Sequence, residues 1–119
     1  MSRYRFAIVA AVLVVFIAVG AYLLFANNSS GGKPVTINVT VTGGKTMNPS
    51  HLSAHYNDTL TINVSSDTDG EVHLHGYDII FNVKKGQTVS KTFKADKSGT
   101  YPIEWENTST ELGRLIVNP

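Results

Sequence analysis

The sequence predicts an all-β domain, an antiparallel β-sandwich, behind a single N-terminal transmembrane helix. Two patterns predict it. An uncharged apolar run fills Phe6 to Phe25, and the remainder alternates apolar and polar residues in short segments separated by turns. A helix needs about 20 apolar residues to cross the hydrocarbon core. Strands show a period of two and turn signals every few residues, as the later segments do here.

The chain divides into three parts: an anchor or signal peptide over 1–26, a flexible linker over 27–34, and a domain over 35–119. Arg3 and Arg5 precede the apolar run, so the N-terminus is expected in the cytoplasm and the domain outside. The protein is then a single-pass cell-membrane protein whose C-terminal domain is extracytoplasmic, or periplasmic. The run is longer than the apolar core of most signal peptides, which favours a retained anchor. Cleavage after Ala26 is the other reading, although Leu24 is large for such a site. The linker, Asn27 to Lys33, is rich in Asn, Ser and Gly and reads as a solvated tether.

The strands follow in order. Val35, Ile37, Val39 and Val41 alternate with Thr36, Asn38, Thr40 and Thr42. A Gly43-Gly44-Lys45 turn follows, then a short element at Leu52 and Ala54, then a turn at Asn57-Asp58. Leu60, Ile62 and Val64 alternate with Thr61, Asn63 and Ser65. Beyond the Asp67–Gly70 turn, Val72 and Leu74 alternate with His73 and His75. Ile79 to Val83 is the next strand. Val89, Lys91 and Phe93 share one parity, which suits an edge strand with an exposed lysine. Tyr101, Ile103 and Trp105 share a face, and Leu112 to Val117 closes the domain. That makes seven or eight strands, with no internal repeat.

Composition excludes several functions. The net charge is +1 and the basic residues are scattered, so no stripe exists to neutralise nucleic-acid phosphates. Cysteine is absent, which removes disulfides, thiolate ligands and a cysteine nucleophile. No phosphate-binding glycine loop and no assignable nucleophile triad is present. Glu104 and Glu106 flank Trp105 and point away from its face, where carboxylates are usually just solvated. No enzyme activity is expected.

Several stretches together resemble the cupredoxin superfamily. They are Asn48-Pro49 leading through Leu52 and Asn57-Asp58 to Leu60-Thr61-Ile62, then Glu71 to Asp78, Gly99 to Trp105, and Gly113 to Val117. The His73-Leu74-His75-Gly76-Tyr77-Asp78 stretch is similar to one in anchored bacterial domains of the EfeO-type cupredoxin-like group. The resemblance implies a cupredoxin-like Greek-key sandwich and a role in copper or iron handling at the cell surface. It does not imply blue copper. That centre needs two histidines, a thiolate and a weak axial ligand. The position where the family carries its cysteine looks like Trp105, which is expected to be buried. Glu106 to Leu115 contains neither histidine nor methionine.

The chemistry that remains is the histidine pair. Alternation places His73 and His75 on one face, with Cα atoms about 6.5–7 Å apart. Two imidazoles at that spacing can share one ion, and neutral nitrogen donors suit Cu(II), Zn(II) and Ni(II), with Cu(II) held most tightly. Candidate further ligands are His51, His55, Asp78 and Glu71, with Met47 as a softer donor. The expected cofactor is thus a copper or zinc ion. The competing reading is structural: His73 bonds Asp78 or a carbonyl and finishes a turn. On that reading the protein is a metal-free structural or interaction module that binds another envelope protein.

Overall fold

The computed structural model describes residues 32–119. The expected anchor, and all of the linker before residue 32, lie outside the described residues. Among those described, no helix is long and apolar enough to cross a membrane.

Among the described residues, nine strands form two sheets. They are β1 (Pro34–Thr42), β2 (Thr46–Asn48), β3 (His51–His55), β4 (Thr59–Ser66), β5 (Gly70–Leu74), β6 (Ile79–Val83), β7 (Thr88–Lys94), β8 (Gly99–Trp105) and β9 (Thr110–Asn118). One sheet runs β2-β1-β4-β7 and the other β3-β9-β8-β5-β6. A single 3-10 turn, Glu106–Thr108, links β8 to β9.

The alternation sets which residues face inward. Val39 and Val41 from β1, Leu60, Ile62 and Val64 from β4, and Leu74 and Phe81 from the opposing sheet are buried, and their strand neighbours are half-buried or exposed, except Thr61, which is buried where its hydroxyl meets that of Thr92. The two inner faces make the core. β7 is an edge strand, and Lys91 is exposed on it as the parity predicted.

The pairing departs from a purely antiparallel sandwich in two places. β1 pairs with β4 in parallel, and β3 pairs with β9 in parallel. Hairpin turns make sequence neighbours antiparallel, and the expectation rested on those turns. These two pairs instead join strands whose connection passes through the other sheet. For β1 and β4 the chain first crosses between β2 and β3, at Asn48-Pro49-Ser50. Proline has no N–H to continue a ladder, so the chain leaves one sheet there and enters the other.

Asp58 locks the start of the domain. Its carboxylate is buried and accepts backbone N–H bonds from Lys33 and His55, both 2.8 Å. It therefore ties the entering chain, the end of β3 and the Asn57-Asp58 turn together.

Candidate metal centre

His73 lies on β5 and His75 just after it, and both project from the outer face of the five-stranded sheet. The cause is local. Val72 and Leu74 are buried, so the intervening residues must face out. The two imidazoles lie against one another, with ring centroids 4.1 Å apart and planes tilted by 36°. The same-face expectation for the pair holds.

β8 lies beside β5 and supplies the carboxylates. His73 is directly opposite Glu104, and the backbone N–H of His75 donates to Pro102 O. Trp105 points inward and is 4% exposed, so Glu104 and Glu106 point outward on either side of it. The 3-10 turn then folds Glu106 back over β5. His73 Nδ1 and Glu106 Oε1 lie 2.6 Å apart, a short charge-assisted hydrogen bond. His73 Nε2 lies 3.9 Å from Asp78 Oδ1, and His75 Nε2 lies 3.8 Å from Glu104 Oε1.

His73 is 17% exposed and His75 39% exposed, yet the His75 Nε2 atom itself is covered and has no hydrogen-bond partner. A covered imidazole nitrogen without a partner is costly, and a bound ion is one way such an atom is satisfied. His73, His75 and Glu106 form the group of potential ligand atoms among the described residues, all within 4.8 Å of one another.

The surrounding charge favours a cation. All four glutamates of the chain, Glu71, Glu104, Glu106 and Glu111, lie on or beside this sheet face. Glu104 and Glu111 are directly opposite across β8 and β9, an arrangement that is unfavourable unless positive charge sits nearby. Arg114 is the sole lysine or arginine on the five strands of this sheet.

The other sequence-predicted candidates are placed as follows. Asp78 sits at the edge of the cluster, 87% exposed beside His73. Glu71 lies one outward position along β5, and its backbone N–H bonds Asn107. His51 and His55 also face outward, because Leu52 and Ala54 between them are buried. Their strand is β3, however, and β9 and β8 stand between it and β5. Three strand spacings put them about 14 Å from the pair. The structure does not bring them to it. Met47 is buried in the core and faces away from the cluster. Glu106, by contrast, was not among the sequence-predicted ligands. Its outward parity was legible, but the adjacency of β5 and β8 was not.

A blue-copper centre does not fit these residues. Trp105 stands where the resemblance places the thiolate, with its indole against the backbones of Gly44 and Gly70. The donors that remain are nitrogen and oxygen, which suit Cu(II) or Zn(II).

Solved structures share the fold. The metal-binding domain of the Cu(I)-exporting P-type ATPase CopA of Streptococcus pneumoniae D39, with Cu(I), aligns at a TM-score of 0.62 and 13% identity, covering 74% of this chain and 95% of that one. A copper-binding protein solved in its apo form aligns at 0.60 and 15% identity, covering 76% and 99%. A chain of a heme-copper terminal oxidase dimer aligns at 0.57 and 14% identity over 98% of both chains. No curated protein matches the chain by sequence. The family model of the cupredoxin-like domain matches residues 13–117. With the two-sheet architecture on which the histidine cluster sits, that match settles the family: the chain belongs to the cupredoxin-like domains.

Proposed function

We propose that the protein is a membrane-anchored, extracytoplasmic cupredoxin-like domain that binds a divalent metal ion, Cu(II) ahead of Zn(II), through His73 and His75. On this reading it is neither a blue-copper electron carrier nor an enzyme. The observation that carries it is the covered, partnerless His75 Nε2 beside the His73–Glu106 pair. The carboxylate-rich face supplies the field for a cation, and several structural neighbours are copper proteins by their descriptions. The apolar run Phe6 to Phe25 behind Arg3 and Arg5 supports the anchor and its direction.

The test is calorimetric titration of the full chain in detergent with Cu(II) and Zn(II), repeated on His73→Ala and His75→Ala. Saturable one-to-one binding is expected. Each substitution should weaken it by more than the roughly 10- to 100-fold that loss of an outer-sphere partner costs. Absence of saturable binding, or binding indifferent to both substitutions, would overturn the reading.

A second reading, a metal-free module that docks within a membrane assembly, draws on one observation. The terminal-oxidase chain aligns over 98% of both chains, a length that takes in the apolar N-terminal run. Intact co-purification with a membrane complex, together with no metal response, would favour it.

A further inference from the structure

We propose that Glu106 is the third ligand of the ion, beside His73 and His75, and that the coordination position left over takes a nitrogen or oxygen donor from outside the chain. This inference rests on the reading that the imidazole pair binds a dication.

Three observations converge on Glu106. Its carboxylate, a ring nitrogen of His73 and a ring nitrogen of His75 all lie within 4.8 Å of one another. Glu106 Oε1 is also already beside His73 Nδ1, at 2.6 Å. Neighbouring donors about 2.0–2.1 Å from one tetragonal ion stand about 2.9 Å apart. The two atoms need to separate by only about 0.3 Å to take adjacent positions on an ion. Finally, the backbone aims the carboxylate. Asn107 Oδ1 accepts the Glu71 backbone N–H (3.0 Å), which fastens the 3-10 turn onto the strand that carries His73. A Cβ on Gly70 would overlap both Asn107 Oδ1 and the Trp105 ring, so the turn seats this closely only against a glycine.

The remaining carboxylates border one ring each. Asp78 Oδ1 lies 3.9 Å from His73 Nε2, and Glu104 Oε1 lies 3.8 Å from His75 Nε2. When His73 Nδ1 gives its lone pair to the ion, the proton of the neutral ring moves from Nδ1 to Nε2. That proton then faces Asp78. A carboxylate behind a metal-bound imidazole is an outer-sphere partner, and this is the place of Asp78.

Three donors leave the ion unfinished. Cu(II) favours four donors near one plane, and open zinc sites combine three protein ligands with a replaceable water. The three side chains are half-buried on the outer face of the five-stranded sheet. The sheet covers one side of the ion, and the other side meets solvent. Water fills that position at rest, and a small nitrogen donor replaces it. An ion held this way can be passed on by donor exchange.

The test is electron paramagnetic resonance of the Cu(II)-loaded full chain in detergent, with affinities measured in parallel. The samples are wild type, Glu106→Gln, Asp78→Asn and Glu104→Gln, and wild type with a few equivalents of imidazole. Glutamine keeps an oxygen that accepts from His73 Nδ1–H, so Glu106→Gln leaves the turn in place. Glu106→Gln should change the copper spectrum and weaken binding about 100-fold or more. Asp78→Asn and Glu104→Gln should weaken binding by about 10-fold at most, with the spectrum unchanged. Imidazole should add one more coordinated ring to the spin-echo modulation while copper stays on the chain. An unchanged spectrum in Glu106→Gln, or a changed one in Asp78→Asn or Glu104→Gln, would overturn the ligand set. A spectrum indifferent to imidazole, or copper stripped from the chain by it, would overturn the outside donor. If wild type shows no saturable copper, or if His73→Ala and His75→Ala bind like wild type, the imidazole reading itself falls and takes this inference with it.

Discussion

Replacing His75 by Phe separates a metal ligand from a structural histidine. A structural histidine contributes a hydrogen bond, and its loss weakens the fold. In this protein His75 Nε2 is covered and partnerless, so the metal-free domain carries a penalty that Phe removes. A buried unsatisfied polar group costs about 1–3 kcal/mol. The ring is 39% exposed, so the low end applies, about 1 kcal/mol. Phe also keeps an aromatic ring against His73, where the centroids now lie 4.1 Å apart. For a small domain 1 kcal/mol moves the melting temperature by about 4–8 °C. The metal-free His75→Phe chain should therefore melt at or a few degrees above wild type. Wild type with metal at about 100 times its Kd should gain about 2.7 kcal/mol. The variant should gain almost none. Differential scanning calorimetry of the full chain, with and without Zn(II), reads both arms. A variant that melts several degrees lower without metal, or that keeps the full metal-dependent shift, would refute this reasoning.

Trp105 is the only tryptophan, and its burial should give blue-shifted emission that moves to the red on unfolding in urea. Trp105→Ala should cost about 3–5 kcal/mol in the same denaturation. Gly76→Ala should destabilise by about 1–3 kcal/mol, because it combines a positive φ with overlap against the Tyr101 ring; chemical denaturation checks this. Burial chiefly holds the Tyr77 hydroxyl above its usual range, with Tyr101 and Asp96 adding to the rise and the Lys97 backbone bond opposing it. The folded chain thus grips this proton more tightly than the unfolded chain does. Its contribution is complete below pH about 10 and is lost as pH climbs through the higher folded value. Alkaline melts should show a stability loss above pH about 10 that is smaller in Tyr77→Phe.

Much of the sandwich was legible because burial and alternation coincide. Val35 to Thr42 and Leu60 to Ser65 read as strands from side chains that the structure indeed sorts to two faces. β2 escaped notice because three residues with one buried side chain, Met47, are too few to show a period. The parallel pairs escaped because turn residues report only on sequence neighbours. The site divides along the same line. The shared face of His73 and His75 is a property of one strand and could be read directly. Glu106 joins them through a contact spanning 33 positions, which depends on β5 and β8 being neighbours. For His51 and His55 the parity was right, and the strand order then placed them across the sheet from the pair.

X-ray absorption at the zinc edge of the Zn(II)-loaded full chain addresses the central claim most directly. The account predicts nitrogen and oxygen scatterers at about 2.0–2.2 Å, the outer-shell pattern of two imidazoles, and loss of that pattern in His73→Ala and His75→Ala. A sulfur scatterer at about 2.3 Å, or an imidazole pattern that survives both substitutions, would contradict it.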